Sequence, residues 1–259
     1  MSKRNRRESI MRPLLVIGQI AGAAFTAAIC LAPNPASATL QVAATFGGVL
    51  FACVDNTACD TNLSTGTIQI ADQTIGGIQI NGSIQTSSGT PANPGPTDIL
   101  NTSSLSLVNT LGITVAATVT ISDTSFRAPV TSFATSTSGV WEGSVGSTAT
   151  TRWWADVANA QGADAVDDTP GVLLDSFSST ALLAADSYAH NGSGPFVAGN
   201  PFSLTEQIDV SLTPGATLLN RGQTILLEPT PTPEPASMAL LAAGLLGLGA
   251  VSRRRREED

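Results

Sequence analysis

Between residues 67 and 227 the chain repeatedly alternates apolar and polar positions with a period of two. Thr67-Ile68-Gln69-Ile70, Ile78-Gln79-Ile80-Asn81, Leu105-Ser106-Leu107, the run from Val115 to Ile121, and Ile208-Asp209-Val210-Ser211-Leu212 all follow it. Successive side chains of a strand point to opposite faces, so this alternation, carried by β-branched residues, predicts strands buried on one side. Turn signals fall between or beside these runs: Gly76-Gly77, Asn81-Gly82, Pro94-Gly95-Pro96, Pro170-Gly171, Asn191-Gly192 and Pro214-Gly215. Short strands with such turns predict an all-β domain, an antiparallel β-sandwich of the jelly-roll-like kind, over residues 39–227. Residues 84–104 are polar and rich in Pro, Gly and Ser, and read as a long loop or a break between hairpins. Residues 202–212 and 224–227 read as closing strands. Residues 179–189 fit a short helix or a strand.

Both ends of the chain depart from this pattern. At the start, Lys3, Arg4, Arg6, Arg7 and Arg12 precede an apolar run over residues 14–31, and Ala36-Ser37-Ala38 is a small-residue cleavage site. These features predict a signal peptide over residues 1–38, cut between Ala38 and Thr39, and export through the Sec translocon. At the other end, a Pro/Thr-rich spacer over residues 228–235 leads into residues 236–252, which carry no charge. As a helix these would span ~25 Å, at the short limit for a bilayer core. Arg253, Arg254, Arg255 and Arg256 follow and mark the cytoplasmic side. Residues 236–259 are therefore expected to form a transmembrane helix with its basic cluster, holding the chain to the membrane before processing.

Pro233-Glu234-Pro235, a small-residue-rich apolar segment and a terminal arginine cluster together resemble the PEP-CTERM sorting signal of Gram-negative bacteria. The resemblance implies that an exosortase is a partner, recognising Pro233, Glu234, Pro235 and Arg253 to Arg256. It also implies export by way of an inner-membrane intermediate to the cell surface or extracellular matrix. A structural or adhesive role linked to exopolysaccharide or biofilm follows as an expectation.

Charge sharpens the picture of the exported part. Residues 39–232 hold 15 acidic residues and three basic ones, Arg127, Arg152 and Arg221, a net charge of −12 against −8 for the whole chain. Nucleic acid is excluded as a partner, because displacing its counterions takes Lys and Arg. Cys53 and Cys59 are the two cysteines of the exported part, which predicts a disulfide.

Candidate chemistry is sparse. Trp141, Trp153 and Trp154 are all the tryptophans. Core packing is the favoured reading; a platform for an exopolysaccharide or cell-envelope glycan is the alternative. Asp164, Asp167 and Asp168 offer oxygen ligands for Ca²⁺, without the spacing of an EF-hand; a solvated acidic loop is favoured, and no cofactor is expected. His190, the one histidine, sits beside Asn191-Gly192 in an expected turn. No Gly-x-Ser-x-Gly elbow, phosphate-binding loop or zinc motif accompanies it, so the chain reads as a non-enzyme, with a secreted hydrolase as third alternative.

Overall fold

The computed structural model describes residues 40–86, 98–126, 130–143, 145–199 and 201–229. They form twelve strands: β1 (Gln41–Phe46), β2 (Val49–Val54), β3 (Thr67–Ile75), β4 (Ile78–Thr86), β5 (Asp98–Asn109), β6 (Val115–Phe126), β7 (Val130–Glu142), β8 (Thr148–Asp156), β9 (Val172–Thr180), β10 (Ala185–Ala198), β11 (Phe202–Leu212) and β12 (Thr217–Pro229). One sheet has the order β2-β1-β6-β11-β8-β9 and the other β10-β7-β12-β5-β4-β3, with every pairing antiparallel. The architecture is the expected antiparallel sandwich.

The inner faces supply one continuous core. Val42, Phe46, Val119, Ile121, Leu204 and Ile208 from the first sheet share it with Ile68, Ile80, Ile84, Leu100, Leu107 and Leu218 from the second. The alternation is not strict along β5. Its register against β4 shifts between Ser83 and Ile84, so that Leu100 and Thr102 are buried before the shift and Leu105 and Leu107 after it. One extra residue restores the inward face to apolar side chains, which is what a bulge does.

Several expected boundaries move. Residues 84–86 and 98–104, read as loop, belong to β4 and β5. Asn81-Gly82 and Asn191-Gly192, read as turns, lie inside β4 and β10, and residues 179–189 contribute to β9 and β10 without a helix. The sandwich extends to Pro229, two residues beyond the expected 227. Gly76-Gly77 is the β3–β4 turn, with φ of 54° and 83°. Two successive positive φ values define the hairpin turn that matches strand twist, and only glycine adopts them without strain. Gly47-Gly48 repeats this geometry between β1 and β2. The expected signal peptide with its Ala38/Thr39 cleavage site, and the expected C-terminal helix, lie outside the described residues.

Cys53 at the end of β2 is bonded to Cys59, closing the start of the β2–β3 connection. Buried Asp60 organises the same loop, accepting hydrogen bonds from the backbone N–H groups of Asn56, Asn62 and Gln69 at 2.8–3.1 Å. Because the loop is already fixed by Asp60, the cross-link acts mainly on the unfolded chain, and so small a ring implies about 2 kcal/mol. Cys53→Ser with Cys59→Ser should lower the unfolding free energy by that amount, read as the urea-midpoint shift multiplied by a nearly unchanged slope m. A far larger loss would mean that the bond holds native structure as well.

Candidate functional site

The largest departure from an aliphatic interior lies between the β8–β9 side of one sheet and the β7–β10 side of the other. Five rings form a row there. Trp141 on β7 meets Tyr188 on β10, with centroids 5.9 Å apart. Tyr188 meets Phe177 on β9 at 5.8 Å, Phe177 stacks on His190 at 4.7 Å, and His190 stacks on Trp153 of β8 at 6.3 Å. Glycines make room for it. A Cβ on Gly139 would sit 2.5 Å from the Tyr188 ring, and one on Gly192 would sit 1.9 Å from an Asp175 carboxylate oxygen. This is why the Asn191-Gly192 pair occupies mid-strand: the small residue is needed for a side chain from the facing sheet, not for a turn.

Asp175 is the polar centre of the row. Its Oδ2 lies 2.9 Å from His190 Nε2 and also accepts from the Thr135 hydroxyl, while Ser176 N–H donates to Oδ1. Asp175 belongs to the first sheet, and His190 and Thr135 to the second, so the group clasps the two sheets at an edge where β9 and β10 share no ladder. Burial pushes the Asp175 carboxyl up, but the bonds from Thr135, His190 and Ser176 outweigh it and hold the group below its ordinary value. The order of these bonds matters chemically. The threonine hydroxyl donates to the carboxylate rather than to the imidazole, so Thr135 is not aligned as a nucleophile on His190.

A second polar group lies deeper. Glu206 on β11 is in phase with Leu204 and Ile208 and faces the core. Its Oε2 accepts from the Thr102 hydroxyl of β5 at 3.2 Å, and among the described residues its Oε1 has no hydrogen-bond partner. Burial raises the carboxyl to about 8, and the Thr102 bond offsets only part of that. Glu206 is therefore neutral at neutral pH, the form that a site without a counter-charge requires. The same burial, with the nearby Glu206, drives the Tyr188 phenol well above its usual value, although a Thr137 bond opposes it. Asn220 on β12 donates to the Tyr188 oxygen at 3.3 Å, joining β12 to the aromatic row.

The sequence-predicted residues are dispersed. Trp141 and Trp153 are fully buried and have no face to offer a sugar ring, which corrects the platform reading for both. Trp154, the next residue on β8, points to the outer face of its sheet and is half-buried. The acidic loop between β8 and β9 is tied to that outer face while Asp164 and Asp167 stay exposed to solvent, as the favoured reading expects. Gln41 of β1 donates to Asp164 and to the Gly162 carbonyl, both at 2.7 Å, and Gln207 of β11 donates to Asp167. Asp168 braces the loop through its backbone, with its N–H on the Ala165 carbonyl and its carbonyl accepting from Ala163. Strand amides therefore engage two of these aspartates. Among the described residues no three His, Cys, Asp or Glu side chains gather where a metal could sit. His190 is paired, but in a strand rather than the expected turn.

Glu206 and Asp175 were missed by sequence reasoning. The signal was present: Glu206 shares the parity of Leu204 and Ile208, and Asp175 that of Phe177, so both fall on inward faces. The two carboxyls should act oppositely on stability. Glu206 binds its proton more tightly in the folded chain, so its contribution is complete below its ordinary 4.5 and is lost as pH rises toward about 8. Asp175 contributes above its ordinary 3.8 and loses that contribution as pH falls further. Thermal stability should peak at about pH 4 to 5, and Glu206→Gln should flatten the decline above the peak. Near-UV circular dichroism melts across the pH range test this; an unchanged decline in the variant would exonerate Glu206.

Comparison with known proteins adds the following. Among solved structures, the fold is similar to TmCBM61 in complex with β-1,4-galactotriose: 8% identity over 57% of this chain and 86% of that one, TM-score 0.27. It is similar to carbohydrate-binding modules of the β-sandwich superfamily, at 12% identity over 67% and 66%, TM-score 0.26. It also resembles the enzymatically active domain of bacteriophage CBA120 tailspike protein 4, at 12% identity over 62% and 19%, TM-score 0.24. Likenesses at these scores say nothing about ligands. No curated protein matches the chain. In the sequence beyond the last strand, residues 231–256 match the family model described as the PEP-CTERM protein-sorting motif, so the chain carries a PEP-CTERM sorting domain.

Proposed function

We propose that this protein is a structural or adhesive component of the cell surface or exopolysaccharide matrix of a Gram-negative bacterium, delivered there by an exosortase. The sorting motif over residues 231–256 carries the reading, since it implies an exported protein that passes through a membrane intermediate. The exported part suits such a role physically. It is an acidic sandwich stapled by Cys53–Cys59, and Asp175 and Glu206 each accept a hydrogen bond from the facing sheet. No catalytic step is assigned to His190, whose partner Asp175 also accepts from Thr135 and so serves to join the sheets.

Intact mass of the protein from cell fractions, with and without the exosortase, tests the delivery. The expected species begins at Thr39, ends between Pro233 and Pro235, and forms only when the enzyme is present. A membrane species that keeps Arg253 to Arg256 in both strains would reduce the tail to a plain anchor.

A second reading, glycan binding, rests on Trp154, the one tryptophan left with an exposed surface. Beside it on the outer face, Arg152 pairs with Asp209, whose other oxygen accepts from Thr118 at 2.8 Å. Stacking on a sugar by Trp154 predicts that Trp154→Ala abolishes binding on a glycan array while Trp154→Phe retains part of it. Equal signals from all three proteins would remove Trp154 from the account.

A further inference from the structure

The two ends of the sandwich differ. The connections β1–β2, β3–β4, β5–β6, β7–β8, β9–β10 and β11–β12 all emerge at one end. Strand register fixes this: Ile75 and Ile78 lie level with Asn109, Thr217 with Val108 and Glu142, and Ala185 with Glu142 in one sheet. In the other sheet Phe46 lies level with Val49 and Ala117, and Ser211 with Thr148, itself paired to Thr180. β12 starts at this end and leaves at the other, at Pro229, toward the sorting motif.

These six connections form a joined crown. Gly47 packs so closely on Gly76 that a Cβ would sit 2.2 Å from its carbonyl oxygen, and Thr110 N–H donates to the Gly77 carbonyl at 3.0 Å. Asn109 Nδ2 donates to the carbonyls of Ile113, Leu212 and Thr213. Ser147 and Thr213 share a hydroxyl bond at 3.0 Å, and Gly146 N–H donates to the Ala181 carbonyl at 2.9 Å. The polar backbone of the crown is thus turned on itself.

What these connections show to solvent is uncharged, with aliphatic side chains among exposed glycines, Thr110 and Thr114. Leu50 and Leu182 are each 75% exposed, Ile113 66%, Leu183 64% and Val145 59%. Residues 47–48, 76–77, 110–114, 143–147, 181–184 and 213–216 contain no Asp, Glu, Lys, Arg or His. Two carboxylates border it: exposed Glu142, and Asp186, which accepts from the Leu182 N–H at 2.9 Å. The acids concentrate at the opposite end: Asp55 and Asp60 in the β2–β3 connection, and Asp156, Asp164, Asp167 and Asp168 at β8–β9.

We infer that the crown is a homotypic docking surface whose occupant is the crown of a second copy of this chain. The inference deepens the adhesive reading above and rests on it for its biological setting. Charge selects the occupant. With a net charge of −12 on residues 39–232, two copies repel wherever acids face each other, and the uncharged crown is where they can meet. An aliphatic patch that is the same on both partners pairs about a two-fold axis, burying apolar surface within a polar rim. A bilayer is the weaker fit, because the crown brings no Lys or Arg for headgroups and no Trp or Tyr for the interface. Paired crowns place the two departing tails at the far ends, the geometry needed to join two surfaces. Many such contacts in parallel would hold even if each were weak.

The test is sedimentation velocity on the exported species, produced from the full chain in its host, across a dilution series. The wild type should dimerise reversibly, and more tightly as salt screens acid repulsion. Leu182→Glu with Ile113→Glu should weaken dimerisation about 100-fold by placing like charges in the contact. Leu63→Glu, an equally exposed leucine in the β2–β3 connection, should leave dimerisation unchanged. All three proteins should melt alike, which separates lost docking from lost folding. A wild type that stays monomeric, a crown variant that dimerises normally, or a monomer that instead binds phospholipid vesicles would each overturn the inference. If dimers form but cells with and without the protein clump equally, the pairing stands and the adhesive role falls.

Discussion

Two sheets about 10 Å apart must fill the space between them with a single interdigitated layer of side chains, and every other feature of this sandwich is accommodated to that layer. Over most of its area the solution is aliphatic: isoleucines from β3 and β4 and leucines from β5 face valines and isoleucines from β6 and β11. At the β8–β9 and β7–β10 side the layer changes to aromatic rings, which are thicker than aliphatic chains. The backbone yields there through glycine, with Gly139 under Tyr188 and Gly192 under Asp175. The cost of glycine in a strand is thereby exchanged for ring packing and for a bond between the sheets.

The layer also holds polar groups that must be satisfied or neutralised. Asp175 takes the first route, with Thr135, His190 and Ser176 all donating to it. Glu206 takes the second, holding a proton because a single Thr102 bond cannot support a buried charge. One side chain therefore strengthens the fold away from strong acid while the other weakens it as pH rises from 4.5 toward about 8. An exported protein meets external pH directly, so this opposition bears on where it persists.

The ends of the layer are treated differently again. At the crown, short glycine-rich connections satisfy one another's backbone and leave aliphatic side chains outward. At the opposite end, longer connections carry the acids, and one of them is laid across the outer face of the first sheet through Gln41 and Gln207. The chain leaves toward its sorting motif from the acidic end. A uniformly acidic surface would make any contact between copies unfavourable; concentrating the charge at one end leaves the other free to pair.

The sequence alone determined the sandwich class, the Cys53–Cys59 bond and the sorting motif, because each is written locally: in a period of two, in a pair of cysteines, and in contiguous motif residues. It also held the parity that turns Glu206 inward, though a lone acid among apolar neighbours is legible only once the strand is accepted. Tertiary structure decided the rest. Trp141 and Trp153 became core and Trp154 surface because adjacent strand residues face opposite ways, and which way depends on the partner sheet. Asn81-Gly82 and Asn191-Gly192 lie within strands because their glycines answer to steric neighbours distant in sequence, Ser104 and Leu105 in one case and Asp175 in the other. The acidic loop is tied to the first sheet by glutamines from two separate strands, a pairing no local pattern announces. The crown belongs to no motif: six uncharged connections spread over 170 residues become one surface only when the strands align them.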